Sequence, residues 1–124
     1  LHAGHVDSLE RARALGDLLI VGVNSDASVR RLGKGPNRPV HGEDDRVRVL
    51  EALRAVDGAV IFDGDTPVEL LAVLRPDVHV KGGDYDPETM PETPLVRSWG
   101  GEVVVLPILP GRSTTAALRK IGAE

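Results

Sequence analysis

Two histidines three residues apart open the chain, in the run Leu1-His2-Ala3-Gly4-His5. On a helix, residues at that spacing lie on one face. Two imidazoles placed so can donate to phosphate oxygens. Gly4 between them lets backbone come close to an anion. A helix start adds free N–H groups and the positive end of a dipole. The same spacing suits two surface histidines on a frayed helix end, and spacing alone leaves both readings open. A metal pair is disfavoured, because no third ligand stands nearby in sequence.

Other residues could do the same kind of chemistry. Gly111-Arg112-Ser113-Thr114-Thr115 carries three successive hydroxyls. One suffices to cap a helix, so the excess suits a second phosphate contact as well as a structural cap. Lys81 ends the apolar stretch Val78-His79-Val80. A charge there wants a partner, either Asp84 or another carboxylate in an ion pair, or a phosphate. Lys34 and Arg38 lie in a Gly- and Pro-rich loop from Gly33 to Gly42. Such charges are either solvated or part of a basic loop that closes over a triphosphate. Arg46 falls near the start of a helix, where position alone leaves it facing solvent. Trp99 reads as a packing residue.

The elements that must position these residues follow from periodicity. Val6, Leu9, Ala12 and Leu15 recur at helical spacing, which predicts a helix from about His5 to Leu15, stopped by Gly16. Leu18 to Val23 is a continuous apolar run, as in a strand buried on both faces. Asn24-Ser25-Asp26 then caps a short helix through Leu32. A second long helix is expected from Glu43 to Val56, and a strand from Ala59 to Phe62. Thr66-Pro67-Val68-Glu69 has the form of a capping box with Pro at the first helical position, and its helix ends before Pro76. A strand at Val78 to Lys81, a loop to Pro94, a helix from Leu95 to Trp99 and a strand from Glu102 to Leu106 follow. Ser113-Thr114-Thr115 caps a final helix through Ile121.

Strands alternating with helices predict a parallel sheet with right-handed crossovers. Four strands are legible, and the opening helix has no strand before it. The expected class is α/β: a Rossmann-like, three-layer, doubly wound parallel sheet of four to five strands, its first strand missing from the chain. Residues 1–124 then form one N-terminally incomplete domain. In such sheets ligands bind beyond the carboxyl ends of the strands. That rule gathers Asn24-Ser25-Asp26, Asp63-Gly64-Asp65, the Lys81-to-Tyr85 segment and the late hydroxyl run on one edge.

Composition sets outer bounds. At 124 residues, 41% hydrophobic and 27% charged, the chain has enough apolar content for a core, which argues against disorder. It has no cysteine, so disulfides and thiolate zinc sites are excluded and a reducing cytoplasm fits. The net charge of −4 disfavours a nucleic-acid partner. The apolar runs are too short to span a membrane.

The HxGH segment and the late Ser-Thr-Thr cap, in this order on an alternating α/β chain, resemble the cytidylyltransferase-like nucleotidyltransferase family. Val23-Asn24-Ser25-Asp26, Lys34-Gly35-Pro36-Asn37-Arg38-Pro39 and Val80-Lys81-Gly82-Gly83-Asp84-Tyr85 narrow the likeness. With the first and last segments, they resemble the adenylyltransferase domains of ADP-heptose synthesis. The resemblance implies an enzyme that joins D-glycero-β-D-manno-heptose 1-phosphate to ATP with Mg²⁺, giving ADP-heptose and pyrophosphate. It implies His2, His5, Lys34 and Arg46 as catalytic residues. It implies Asp84, Ser113, Thr114 and Thr115 as nucleotide- or phosphate-binding; Gly4 at the helix start and Asn24 and Lys81 at strand ends are expected to join them, with no protein-held metal. It also implies a homodimer and a sugar kinase domain, fused or cooperating. The alternatives are a cytidylyltransferase using CTP and glycerol 3-phosphate, whose relatives carry Met-Gly-Asp-Asp-Trp where this chain has Lys-Gly-Gly-Asp-Tyr, and a non-catalytic nucleotide-binding module. The family also begins with a strand just before the HxGH segment, which this chain lacks.

Overall fold

A computed structural model of the chain describes residues 3–32, 42–106 and, as backbone, Thr115–Arg119. Helix α1 (Ala3–Arg13) buries His5, Ser8, Leu9 and Ala12, a stripe at helical spacing. Arg13 Nη1 donates to the Gly16 carbonyl at 2.7 Å, which closes the helix end. Strand β1 (Leu18–Asn24) follows, with Leu19, Val21 and Val23 buried. Helix α2 (Asp26–Arg31) is capped by Ser25, whose Oγ accepts from the Ser28 N–H at 3.1 Å.

Helix α3 (Glu43–Glu51) is shorter than the periodicity suggests. Ala55 and Val56 are buried in the turn after it rather than on a helix face. Strand β2 (Gly58–Phe62) leads to α4 (Val68–Leu74). The expected capping box does not form there: Pro67 takes the cap position and no side chain caps the helix. Arg75 ends α4 at φ 46°, and Pro76 prevents its continuation. Strand β3 (Val78–Gly82), a 3₁₀ turn (Pro87–Thr89), α5 (Thr93–Ser98) and β4 (Glu102–Leu106) complete the alternation.

Among the described residues, five strands form one sheet in the order β2-β1-β5-β3-β4, the last being β5 (Thr115–Arg119). The β1–β2 and β3–β4 pairs are parallel, and β5 runs antiparallel to both β1 and β3. This corrects the expectation of a final helix capped at Ser113-Thr114-Thr115. The reason is tertiary. Without a strand between them, the inner edges of β1 and β3 would leave two rows of backbone donors and acceptors unpaired. Thr115–Arg119 fills that slot and overrides the helical preference of Ala116-Ala117-Leu118-Arg119.

The layering is as expected. Along β3, Val78 and Val80 join the core under α1 and α3, so His79 and Lys81 face the opposite layer. Along β4, Val104 packs on that first core while Val103 packs with Leu71 of α4 and Val96 of α5. Helices therefore cover both faces of the sheet.

Candidate active site

Strands β1 to β4 share one direction, so Asn24, Phe62, Gly82 and Leu106 mark one carboxyl edge. Helix α1 joins β1 through residues 14–17 alone and packs on β1 and β5, which brings its first turn back toward that edge. Gly4 and His5 sit in that turn, with His5 buried. The Gly4 carbonyl accepts from Ser8 Oγ at 3.0 Å, one turn on. Strand β5 begins at the same edge. Thr115 stands in register between Gly22 of β1 and Lys81 of β3. The helix cap expected of Thr115 is replaced by a strand, yet the residue stays where the sheet rule placed it.

On the β1–β2 side the site is built from cross-linked polar groups. Asn24 is buried, and its Nδ2 donates to Ser28 Oγ at 3.1 Å. Ser28 in turn donates to the Gly64 carbonyl at 3.0 Å, tying α2 to the turn after β2. Ser25 Oγ donates to Asp63 Oδ1 at 2.5 Å. Arg46 in the first turn of α3 reaches Asp26 at 3.0 Å, with side chains 25% and 29% exposed. It does not point simply to solvent, as its helix position alone suggested. Glu43 accepts from the Asp26 N–H at 2.7 Å, fixing that backbone. Arg31 pairs with Asp63 and Asp65 at the rim.

On the β3 side the arrangement is different. Lys81 pairs with Glu92 at 3.7 Å rather than with Asp84, which is exposed. Glu92 stands just before α5 and is 1% exposed. The same oxygen, Oε2, accepts from His79 Nε2 at 3.1 Å, and His79 is wholly buried. Burial pushes the Glu92 carboxyl up. The hydrogen bond from His79, a backbone hydrogen bond and the charges of Lys81 and His79 outweigh that and hold it below the usual range. Lys81 Nζ also lies 4.8 Å from the Tyr85 ring centre. Gly83 makes this turn possible: it sits at φ 122°, and a Cβ there would come within 2.7 Å of the Tyr85 ring.

The structure thus brings Gly4, His5, Asn24, Arg46, Lys81, Asp84 and the backbone of Thr115 to the carboxyl edge of the sheet, from both of its faces. His2, Lys34, Ser113 and Thr114 lie outside the described residues. Sequence reasoning missed His79 and Glu92. The alternation of β3 already puts His79 and Lys81 on one face, and that signal was available. Glu92 comes from a separate element, and no spacing announces it. Among the described residues no three of His, Cys, Asp or Glu cluster as a metal site, and no helix is long and apolar enough to cross a membrane.

Comparison with known proteins adds a separate line. A family model described as cytidylyltransferase-like matches residues 1–108. The chain is 61% identical to the bifunctional protein HldE of Streptomyces coelicolor, over 97% of this chain and 26% of that protein. It is 56% identical to the D-beta-D-heptose 1-phosphate adenylyltransferase of Bordetella bronchiseptica, over 98% of this chain and 75% of that protein. The chain thus spans about a quarter of the bifunctional relative and three quarters of the other. A crystal structure of the lipopolysaccharide core biosynthesis protein from Thermoplasma volcanium superposes with a TM-score of 0.70 at 27% identity, covering 86% of each chain.

Proposed function

The chain belongs to the cytidylyltransferase-like family of nucleotidyltransferases, and from that premise we propose that it transfers AMP from ATP to D-glycero-β-D-manno-heptose 1-phosphate. The products are ADP-heptose and pyrophosphate. The observation that carries the reading is the convergence on one sheet edge of the α1 start, Arg46, Lys81 and the first residue of β5. The Lys81-Gly82-Gly83-Asp84-Tyr85 segment favours ATP over CTP, and the heptose named in the Bordetella relative favours that sugar.

The reaction is an in-line displacement. A phosphate oxygen of the sugar 1-phosphate attacks the α-phosphorus of ATP. The bond from that phosphorus to the bridging oxygen breaks, and pyrophosphate leaves with the electron pair. The nucleophile is already an anion, so no strong base is needed. The protein contributes positioning and fixed positive charge. Gly4 and His5 meet the triphosphate at the helix start, and His2, Lys34, Arg46 and Lys81 are its further catalytic and phosphate contacts. Asn24 and Asp84 line the nucleotide, and Ser113, Thr114 and Thr115 close the phosphate side. Mg²⁺ carried in with the triphosphate would supply positive charge to the leaving pyrophosphate. It is suited to arrive on the triphosphate, because it keeps much of its water and binds through substrate phosphates. The partner is a sugar kinase domain that supplies the sugar phosphate in the cytoplasm, and the enzyme works as a homodimer.

The test is pyrophosphate release by the full-length protein, with ATP or CTP against a panel of sugar 1-phosphates and alcohol phosphates. Release with ATP and the heptose 1-phosphate is expected. Release with CTP and glycerol 3-phosphate overturns the reading, as does ATP binding without release. His5→Ala should lower the rate about 100-fold, the scale of losing a transition-state donor. A loss under about tenfold in a folded protein removes His5 from that role.

A further inference from the structure

We propose that Glu92 is a positioning residue of this site, held from behind by His79, and that it sets where the Lys81 ammonium stands to receive a substrate phosphate. The inference rests on the nucleotidyltransferase reading and adds two residues to it. Lysine is a poor tool for a fixed position, because its charge rides on a flexible four-carbon stem. Here the stem leaves a strand whose neighbours on both sides fix its backbone: Lys81 pairs with Val105 of β4 and Thr115 of β5. Its head is then confined between a carboxylate at 3.7 Å and the Tyr85 ring at 4.8 Å.

The geometry suits a cation kept ready rather than one consumed. At 3.7 Å the contact with Glu92 is an electrostatic one, beyond hydrogen-bond reach, so it commits no N–H donor of Lys81 to the carboxylate. Those donors remain for an incoming phosphate oxygen. The carboxylate itself cannot swing away. Its Oε2 accepts from His79 at 3.1 Å, and both side chains are sealed in the layer between β3 and α5. A surface lysine would need no such support. A carboxylate removed from water is costly, and it survives here because two cationic or donor groups from β3 share one of its oxygens. Alternation supplies both donors from a single strand: His79 anchors the carboxylate, and Lys81, two residues on, uses it.

Steady-state kinetics on the full-length protein, with each substrate varied in turn, test this. Glu92→Gln keeps the shape and removes the charge. It should raise KM about tenfold for the substrate whose phosphate meets Lys81, the scale of one charge-assisted hydrogen bond, with kcat within about threefold. Whether KM for ATP or for the sugar phosphate moves identifies that phosphate. In a Lys81→Met background the same substitution should add nothing, because Glu92 acts through Lys81. His79→Leu should follow Glu92→Gln, while His79→Gln, which retains a donor, should stay near wild type. Unchanged KM values in a folded Glu92→Gln protein overturn the proposal, as does an equal effect with and without Lys81. If Glu92→Gln does not fold, the contrast between His79→Leu and His79→Gln decides by the same measure. Wild-type pyrophosphate release reports separately on the underlying reaction. If wild type releases none, calorimetric titration of ATP and of inorganic phosphate into the same variants decides the point, and equal affinities overturn it.

Discussion

The two halves of the site edge hold their charges in opposite ways. On the β1–β2 side, Asp26 and Arg46 meet at 3.0 Å from different helices while both keep a quarter or more of their side chains in solvent. On the β3 side, Glu92 is sealed from water and receives His79 and Lys81 from one strand. Water can replace either partner of the first pair at modest cost. It cannot reach the second, so loss of one partner strands a buried charge. The first side can therefore re-pair when an anion arrives, as a phosphate at Arg46 would require. The second side fixes one cation in advance.

The sharpest way to break this contrast is to remove the hidden partner. His79→Ala leaves the Glu92 carboxylate buried with Lys81 alone. It should cost about 3 kcal/mol or more of stability in chemical denaturation at neutral pH. A cost under about 1 kcal/mol would mean that water enters the layer, and the distinction between the two sides would fall.

Acid titration sharpens the same point. The Glu92 carboxyl titrates below its ordinary value of 4.5 in the folded protein. Over the interval between the folded and unfolded values, the unfolded chain binds more protons, so stability rises with pH there. The contribution is complete above the unfolded value and is lost as pH falls through the folded one. Wild type should therefore lose more stability than Glu92→Gln on acidification below about pH 4.5, with little dependence on salt. Parallel acid limbs for the two proteins would remove the ionised carboxylate from the account.

These differences mark what could be read in the sequence. The edge itself was legible: Asn24, Lys81 and the Gly82-to-Tyr85 turn fall where strand periodicity and the sheet rule put them. So was the three-layer α/β order. Two things were not. Thr115–Arg119 carries helix-forming residues behind a cap-like run, and only the unpaired edges of β1 and β3 make it a strand. No local pattern contains that competition. Glu92 was hidden for a related reason, since its meaning comes from a strand ten or more positions earlier in the chain. The Asp26–Arg46 pair likewise joins two helices whose separation in sequence gives no sign of contact. Residues placed by local period could be read, His79 among them although it was passed over, and residues defined by a partner across the fold could not.

On the open side, Arg46→Met should cost under about 1 kcal/mol of stability, because Asp26 regains water. Its kcat/KM should nevertheless fall at least about tenfold, the loss of one charged contact to phosphate. A stability loss as large as that of His79→Ala would show the two sides to be built alike. A kcat/KM near wild type would leave Arg46 as a structural residue that happens to stand at the edge.

The smallest effect belongs to a third pair that calibrates the other two. Arg97 of α5 grips Glu88 through two hydrogen bonds, at 2.9 and 2.6 Å, the tightest charge geometry on the described surface near β3. The Arg97 hydrogen bond and then its charge hold the Glu88 carboxyl below its ordinary range. Geometry alone would rank this pair above Lys81–Glu92 at 3.7 Å. Solvent reverses the ranking: both partners are open to water, which competes for the same donors and acceptors and screens their charges. Arg97→Met should therefore leave the thermal midpoint and both KM values unchanged, and added salt should not separate it from wild type. A drop in stability matching that of His79→Ala would show that distance, rather than exclusion of water, decides what these charges are worth.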